Sequence, residues 1–129
     1  MTVINIHTRK KSELIDITEE VKKIVAAEKT KDGTIFLFVP HTTAGLTINE
    51  NSDPSVKSDI IGKMNEMIPE DDGYSHSEGN SASHIKSSLF GNELFFFIEN
   101  GQLVLGTWQG IYFCEFDGPR DRELYLKIL

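Results

Sequence analysis

The sequence contains few cysteines and arginines and no long apolar run, and each of these scarcities excludes a class of protein. Among 129 residues there is one cysteine, Cys114, which excludes an internal disulfide and is typical of a reducing compartment. Only three arginines occur and the net charge is −7, so the clustered positive charge of a general nucleic-acid-binding protein is missing. No apolar run could span a bilayer, and no basic-then-apolar leader opens the chain. We therefore expect a cytoplasmic protein that binds neither nucleic acid nor membrane.

The residues that are present predict one globular domain covering residues 1–129. Hydrophobic residues make up 39% and charged residues 26%, as in ordinary folded domains. Helical periodicity predicts three helices, which begin near Thr18, at Pro54 and near Ser81. Alternating or continuous apolar runs predict strands between and around them, with a hairpin turn at Asn100-Gly101.

Two of these strands carry more specific expectations. The stretch Thr34–Val39 is apolar on both faces, so we expect it to be central in its sheet and covered on both sides, in part by a partner subunit. Trp108 lies between Gly106 and Gly110, which indicates either close backbone packing around the indole or the approach of a ligand, and of the two we expect packing in the core.

The segment from Pro40 to Pro54, PHTTAGLTINENSDP, is the best candidate for a functional site. It follows a buried strand and places a histidine directly at the strand exit, where a simple turn would need only Gly, Pro, Asn or Ser. Side chains at such an exit are held firmly while still reaching solvent. Thr42 and Thr43 are candidate hydrogen-bond donors for an anion.

Three of the four histidines lie among small polar residues and carboxylates: His41, His76 and His84. A flexible loop before the third helix could fold His76 back beside His84. With His41, the two rings would form a three-histidine set with an open position, the pattern of a catalytic divalent-metal site. Glu50, Asp53 and Glu78 are candidate further ligands or partners of the ligating imidazoles, and Glu50 and Glu78 are also candidate general bases.

A structural explanation of the same histidines stays open, because each could simply hydrogen-bond to backbone in a loop. The turn Asp117-Gly118-Pro119 presents a second candidate, Arg120, whose guanidinium suits a phosphate or carboxylate. The alternative for both Arg120 and Arg122 is a surface salt bridge to a neighbouring acid, and for Arg122 this alternative is favoured.

Three long motifs together resemble those of the YjbQ-like family of small proteins. They are HTTAGLTINENSDP at 41–54, HSEGNSASHIKSSLFG at 76–91 and LVLGTWQGIYFCEFDGPR at 103–120. The resemblance implies an α+β fold, with a mostly antiparallel β-sheet or sandwich packed with about three helices, and assembly as a homotrimer. It also implies a pocket near subunit interfaces in which the motif histidines hold a metal or an anion.

Family members have been linked to a secondary thiamine-phosphate synthase activity, which joins a pyrimidine diphosphate to a thiazole phosphate. By position, the resemblance adds Asn80 and Glu115 to Glu50, Glu78, Arg120 and the three histidines as site residues.

Three functional hypotheses follow. The first is an enzyme, of the thiamine-phosphate synthase kind, that acts on phosphorylated small molecules at a histidine-lined metal or anion site. Three histidines favour zinc as the divalent metal, whereas diphosphate chemistry usually employs magnesium. The second is a metal-dependent hydrolase with Glu50 or Glu78 as the base. The third is a trimeric binding protein without catalytic activity.

Overall fold

Two antiparallel sheets share one hydrophobic core in the computed structural model, which describes residues 1–129. The strands are β1 (Thr2–His7), β2 (Glu13–Asp16), β3 (Gly33–Phe38), β4 (Ala44–Glu50), β5 (Glu93–Glu99), β6 (Gln102–Leu103), β7 (Gln109–Glu115) and β8 (Asp121–Ile128). The larger sheet has the strand order β1-β8-β3-β5-β6, and the smaller one has the order β2-β7-β4. The helices are α1 (Thr18–Glu28), α2 (Pro54–Met67) and α3 (Ser81–Phe90). The α+β class and the three helices are as predicted, and none of the helices has the length and apolarity to cross a membrane.

Strand alternation decides which side chains fill the core. In β3, Ile35 and Leu37 point inward and are fully buried, and Leu126 of β8 pairs directly opposite Leu37. Burying one such aliphatic side chain contributes about 1.5–3 kcal/mol relative to leaving it in water. Val21 and Val25 of α1 close the same core from one side.

The other face of β3 is open in the single chain. Phe36 and Phe38 are 44% and 43% exposed, and Phe95 and Phe97 of the neighbouring strand β5 are each 56% exposed. With Tyr125 of β8, whose ring lies 6.4 Å from that of Phe38, they form what we call the aromatic sheet face. The strand is central, as predicted, but this chain does not supply the cover predicted for its second face.

Helix α2 begins as the sequence predicts but contributes little to the core. The Asp53 carboxylate accepts the Ser55 N–H at 2.9 Å, and Pro54 occupies the first turn, where its missing N–H costs nothing. None of the residues of α2 is fully buried. Ile60 and Ile61 pack only partly against a small cluster of Leu14, Tyr112, Cys114 and Phe116.

The turn before β7 corrects the prediction for Trp108. The Gln109 side chain accepts the Gly106 N–H at 2.8 Å, while the Gln109 N–H bonds to the Gly106 carbonyl at 3.1 Å. These two bonds close a tight turn and leave Trp108 at its tip, 63% exposed rather than packed in the core. The hairpin at Asn100-Gly101 forms as predicted, with positive φ at both residues.

Candidate functional site

One polar cleft of about 490 Å³, which we call the histidine cleft, collects most of the predicted site residues. The loop after β3, the loop before α3, α3 itself and the turn between β7 and β8 converge there. It is lined by Pro40, His41, Thr42, Thr43, His76, Glu78, Asn80, His84, Asp117, Arg120 and Arg122. A smaller cleft of about 370 Å³ adjoins it along His41, Thr42 and His84.

His41 is held by the backbone of β8. Its Nε2 accepts the Glu123 N–H at 2.9 Å. Burial lowers the pKa of His41 below its ordinary value of 6.5, and the charge of Arg122 lowers it further. The ring is therefore neutral at pH 7 with its proton on Nδ1, which makes Nδ1–H a hydrogen-bond donor.

His76 and His84 lie side by side, because the loop before α3 folds back on the first turns of the helix. Their ring centroids are 5.5 Å apart with the ring planes at 86°. The His76 Nε2 is 3.9 Å from the Glu78 carboxylate. These three side chains form a compact group at one side of the cleft.

The fit of a metal to these residues is partial. Two imidazoles bound to one tetrahedral zinc have ring centroids about 5 Å apart, close to the separation of His76 and His84. His41 does not fit as it lies, because its only lone-pair nitrogen accepts the Glu123 N–H. No three His, Cys, Asp or Glu side chains already form a metal-binding group.

Asp117 organises the cationic side of the cleft. Its carboxylate accepts hydrogen bonds from Lys11 at 2.7 Å, Asn80 at 3.0 Å and Arg120 at 2.9 Å. Burial alone would raise the pKa of Asp117, but the hydrogen bonds from Asn80 and Lys11 and the nearby positive charges bring it below its ordinary value. The carboxylate is therefore ionised at neutral pH.

Arg120 and Asn80 each keep an unused polar group in the cleft. Arg120 bonds to Asp117 through Nε and Nη2, and its Nη1 makes no hydrogen bond within the chain. The guanidinium is thus partly neutralised, as the salt-bridge alternative predicts, yet half of the side chain is exposed to the cleft. The Asn80 Oδ1 is buried without any hydrogen-bond partner, which a ligand donor could satisfy.

Glu115 has a structural role, and its assignment as an anion- or substrate-binding residue is not supported by its surroundings. It is fully buried, and both carboxylate oxygens are occupied. Arg122 donates to it at 2.6 and 2.8 Å, Thr8 at 2.8 Å and the Asp117 N–H at 2.9 Å. Burial would raise the pKa of Glu115, but these hydrogen bonds hold it below its ordinary value of 4.5.

Arg122 is likewise not the surface ion pair favoured from sequence. It is 4% exposed, and its Nη2 also donates to the Thr43 hydroxyl at 2.8 Å. The Thr43 hydroxyl accepts this bond and keeps its own proton for a ligand, and Thr42 beside it is exposed. The pair of Glu115 and Arg122 therefore fixes the strand exit that carries the threonines.

Glu50 is not brought to the cleft within this chain. It is the last residue of β4 and pairs with Gln109, whereas Ala44 at the other end of the strand lies next to the cleft. Six strand steps separate the two ends by roughly 20 Å. His7 also lies elsewhere, exposed and in contact with Asp121.

Two residues of the cleft were missed as site residues by sequence reasoning. Asp117, three residues before Arg120 in the same turn, was considered only as a salt-bridge partner, and that pair is present in the structure. No local signal could have shown that Arg122 turns inward to Glu115, because that depends on how β7 and β8 pack.

The fold and the cleft define a small α+β domain with an ionisable, histidine-lined polar site. The family model for UPF0047 proteins of the YjbQ-like type matches residues 2–129. A UPF0047 protein of Methanocaldococcus jannaschii is 54% identical, over 96% of this chain and 90% of its own length. The Bacillus subtilis UPF0047 protein YugU is 48% identical, over 100% of this chain and 98% of its own.

Solved structures agree with these matches. An uncharacterised YjbQ/UPF0047 protein of Clostridium acetobutylicum is 50% identical, and each chain covers 100% of the other with a TM-score of 0.98. A YjbQ-like protein of unknown function from Sulfolobus solfataricus is 34% identical, with a TM-score of 0.94 over 98% of this chain and 94% of its own. This chain belongs to the YjbQ-like UPF0047 family.

Proposed function

We propose that this protein is an enzyme that binds a phosphorylated small molecule in the histidine cleft. The observation that carries the proposal is the cleft itself, in which Arg120, two threonine hydroxyls and three imidazoles surround one polar space of about 490 Å³. A phosphate presents several strong acceptor oxygens, and such a set of donors is complementary to it. The chain as a whole carries a net charge of −7, so an anion would be attracted by this local group of donors and not by the overall charge of the protein.

The donors divide into a fixed and an adjustable set. The neutral His41 ring presents Nδ1–H, and Thr43 is held by Arg122, so these two are preorganised. Arg120 is half-exposed, and its Nη1 is free to bond to a phosphate oxygen while Asp117 holds the rest of the guanidinium. Preorganised donors stabilise developing negative charge without the cost of reorienting them.

The reaction that the family resemblance suggests is of the thiamine-phosphate synthase kind, a group transfer that displaces diphosphate. Displacement places negative charge on the leaving group, which Arg120 and the imidazoles would stabilise. Glu78, beside His76, is the carboxylate positioned to act as a base, whereas Glu50 lies at the far end of β4.

A divalent metal would be held by His76 and His84, with Glu78 nearby. When bound, it would supply charge stabilisation to the phosphate oxygens, with zinc favoured by the imidazole ligands and magnesium by the substrate. Metal analysis of the purified protein should show a bound metal that His84→Ala loses and His7→Ala, an exposed control, retains. Unchanged metal content and turnover in His84→Ala would overturn the role of this histidine.

Titration calorimetry with inorganic pyrophosphate tests the anion site directly. Arg120→Met should weaken binding about tenfold or more, since hydrogen bonds to charged groups contribute about 1.5–3 kcal/mol. Arg9→Met removes the same charge from an exposed position and should change affinity little. Equal affinity in the two variants would remove Arg120 from the site.

A metal-dependent hydrolase is the second candidate, and the contact between His76 and Glu78 favours it. A base beside a metal ligand could activate a bound water. The hydrolase forms product from a single phosphorylated substrate, whereas the transferase needs two substrates. Tight binding without turnover of either kind would instead favour a non-enzymatic binding protein.

We also propose a homotrimer, as the resemblance implies, with copies of this chain covering the aromatic sheet face. Four phenylalanines each more than 40% exposed on two neighbouring strands exceed what a soluble monomer normally leaves open. Light scattering should give about three times the chain mass of 14.5 kDa. A monomer at micromolar concentration would contradict this assembly, and Phe97→Glu should lower the mass if the face is the interface.

A further inference from the structure

A second cleft lies on the other side of α3 from the histidine cleft. His84 and Lys86 are two residues apart on the helix, so their side chains leave it on nearly opposite faces. Lys86 lines a cleft of about 460 Å³ together with Lys10, Lys11, Ser12, Asn65, Ile68 and Glu70. We call this the lysine cleft.

Lys86 has an unusual environment for an ammonium group. The residue is only 1% exposed, and its single hydrogen bond runs from Nζ to the Asn65 Oδ1 at 2.6 Å. Lys86 forms none of the ion pairs within 4.0 Å in the chain, although a lysine ammonium carries three donors. A buried charge without a counter-charge in direct contact is costly, so an anion bound beside Lys86 would stabilise it.

Lys10 and Lys11 add positive electrostatic potential to the cleft, and neither occupies the space beside the Lys86 ammonium group. Lys11 is already engaged, with its Nζ 2.7 Å from Asp117 and 4.0 Å from Glu70. Lys10 is exposed at the rim. Glu70 is the one acidic lining residue, and its side chain is about half exposed, so it can move away into solvent.

We infer that the lysine cleft is a second anion-binding site, which takes a small oxyanion such as phosphate between Lys86 and the lysines at its rim. The oxyanion would accept the two remaining Lys86 donors, and the hydroxyl of Ser12 lies in the same lining. Burial lowers the pKa of Lys86, Glu70 raises it and Lys11 lowers it, and a bound anion would favour the charged form. This inference does not depend on the function proposed for the histidine cleft.

The test is a titration of the ¹⁵N-labelled full chain with inorganic phosphate at low ionic strength, followed by amide shifts in NMR spectra. Saturable shifts are expected at Ser12, Asn65 and Lys86. Lys86→Met should weaken that binding about tenfold or more, because it removes the charged donor and keeps a similar shape. Lys23→Met, at an exposed position on α1, removes the same charge and is the matched control.

A second variant keeps the test decisive if Lys86→Met folds poorly. Glu70→Gln leaves the buried lysine intact and removes the opposing charge, so it should tighten phosphate binding several-fold at the lysine cleft. Shifts confined to residues around His41 and His84 would overturn this inference while leaving the histidine cleft as an anion site. Shifts confined to the lysine cleft would support it and count against the proposed function. Equal affinities in the wild type, Lys86→Met and Glu70→Gln would overturn it.

Discussion

The buried pair of Glu115 and Arg122 should be the most sensitive polar element of the fold. Arg122 makes two hydrogen bonds to Glu115 and two to Thr43, and the two charged residues are 0% and 4% exposed. Arg122→Met removes all four bonds and leaves the Glu115 carboxylate buried without its counter-charge. Breaking a buried pair in this way costs about 3–5 kcal/mol.

That loss is large compared with the total free energy of unfolding of an ordinary domain, about 5–15 kcal/mol. It corresponds to a change of roughly a hundred- to several-thousand-fold in the unfolding equilibrium. Urea denaturation at a fixed chain concentration measures it, since an oligomer would make the midpoint depend on concentration. Arg120→Met is the matched control, because its half-exposed pair with Asp117 is worth only about 0–1 kcal/mol.

The double variant Glu115→Gln/Arg122→Met separates charge burial from lost packing. It should be more stable than Arg122→Met alone, because the uncompensated charge is gone while Gln still accepts a hydrogen bond. The low pKa of Glu115 stabilises the wild type above pH 4.5, and this contribution should be lost as the pH falls from 4.5 toward the folded-state pKa. A loss below about 1 kcal/mol for Arg122→Met, equal to the Arg120→Met control, would refute the reasoning.

Three further predictions follow from single positions. Gly45→Ala should destabilise the fold by about 1–3 kcal/mol, because its Cβ would lie 2.5 Å from the Gly91 carbonyl oxygen. The control Gly62→Ala in α2 meets nothing within 4 Å, so urea denaturation should show unchanged or higher stability for that variant. An NMR titration should give His41 a pKa below 6.5, because burial and the charge of Arg122 disfavour the protonated ring, and this group should destabilise the fold as the pH falls below 6.5. A pKa at or above 6.5 contradicts that environment, and an Nε2–H tautomer contradicts the hydrogen bond from the Glu123 N–H. Cys114 is buried and burial raises the pKa of its thiol, so it should react with a thiol reagent only after denaturation. Fast labelling of the native protein would contradict this, because it would require the cluster of Leu14, Tyr112, Cys114 and Phe116 to open.

Local chemistry made several features of the fold predictable. Asp53 and Pro54 start α2 because a cap and a missing N–H act within one turn. Asn100-Gly101 forms its hairpin because both residues tolerate positive φ. The histidines were identified as a group from the polar, small-residue segments around them, and the structure places all three on one cleft.

Features that depend on contacts between distant segments were not predictable in this way. The sequence shows that Phe36 and Phe97 are apolar, but only the sheet order reveals that they share one open face. Trp108 was expected in the core, yet a turn closed by the Gln109 side chain turns it outward.

The sequence by itself determined the family, the approximate starts of the helices, the hairpin turn and the set of candidate side chains, because residue type and short-range spacing specify these directly. The tertiary structure alone decided the partners of those side chains. Arg122 reaches Glu115 because β7 and β8 bring the two residues together. Glu50 lies away from the cleft because it is at the opposite end of β4 from Ala44. His41 accepts a hydrogen bond from Glu123, which is 82 residues away in the sequence. Burial and pairing between distant segments set the charge state and the free donors of each group, and these decide which side chains can meet a ligand.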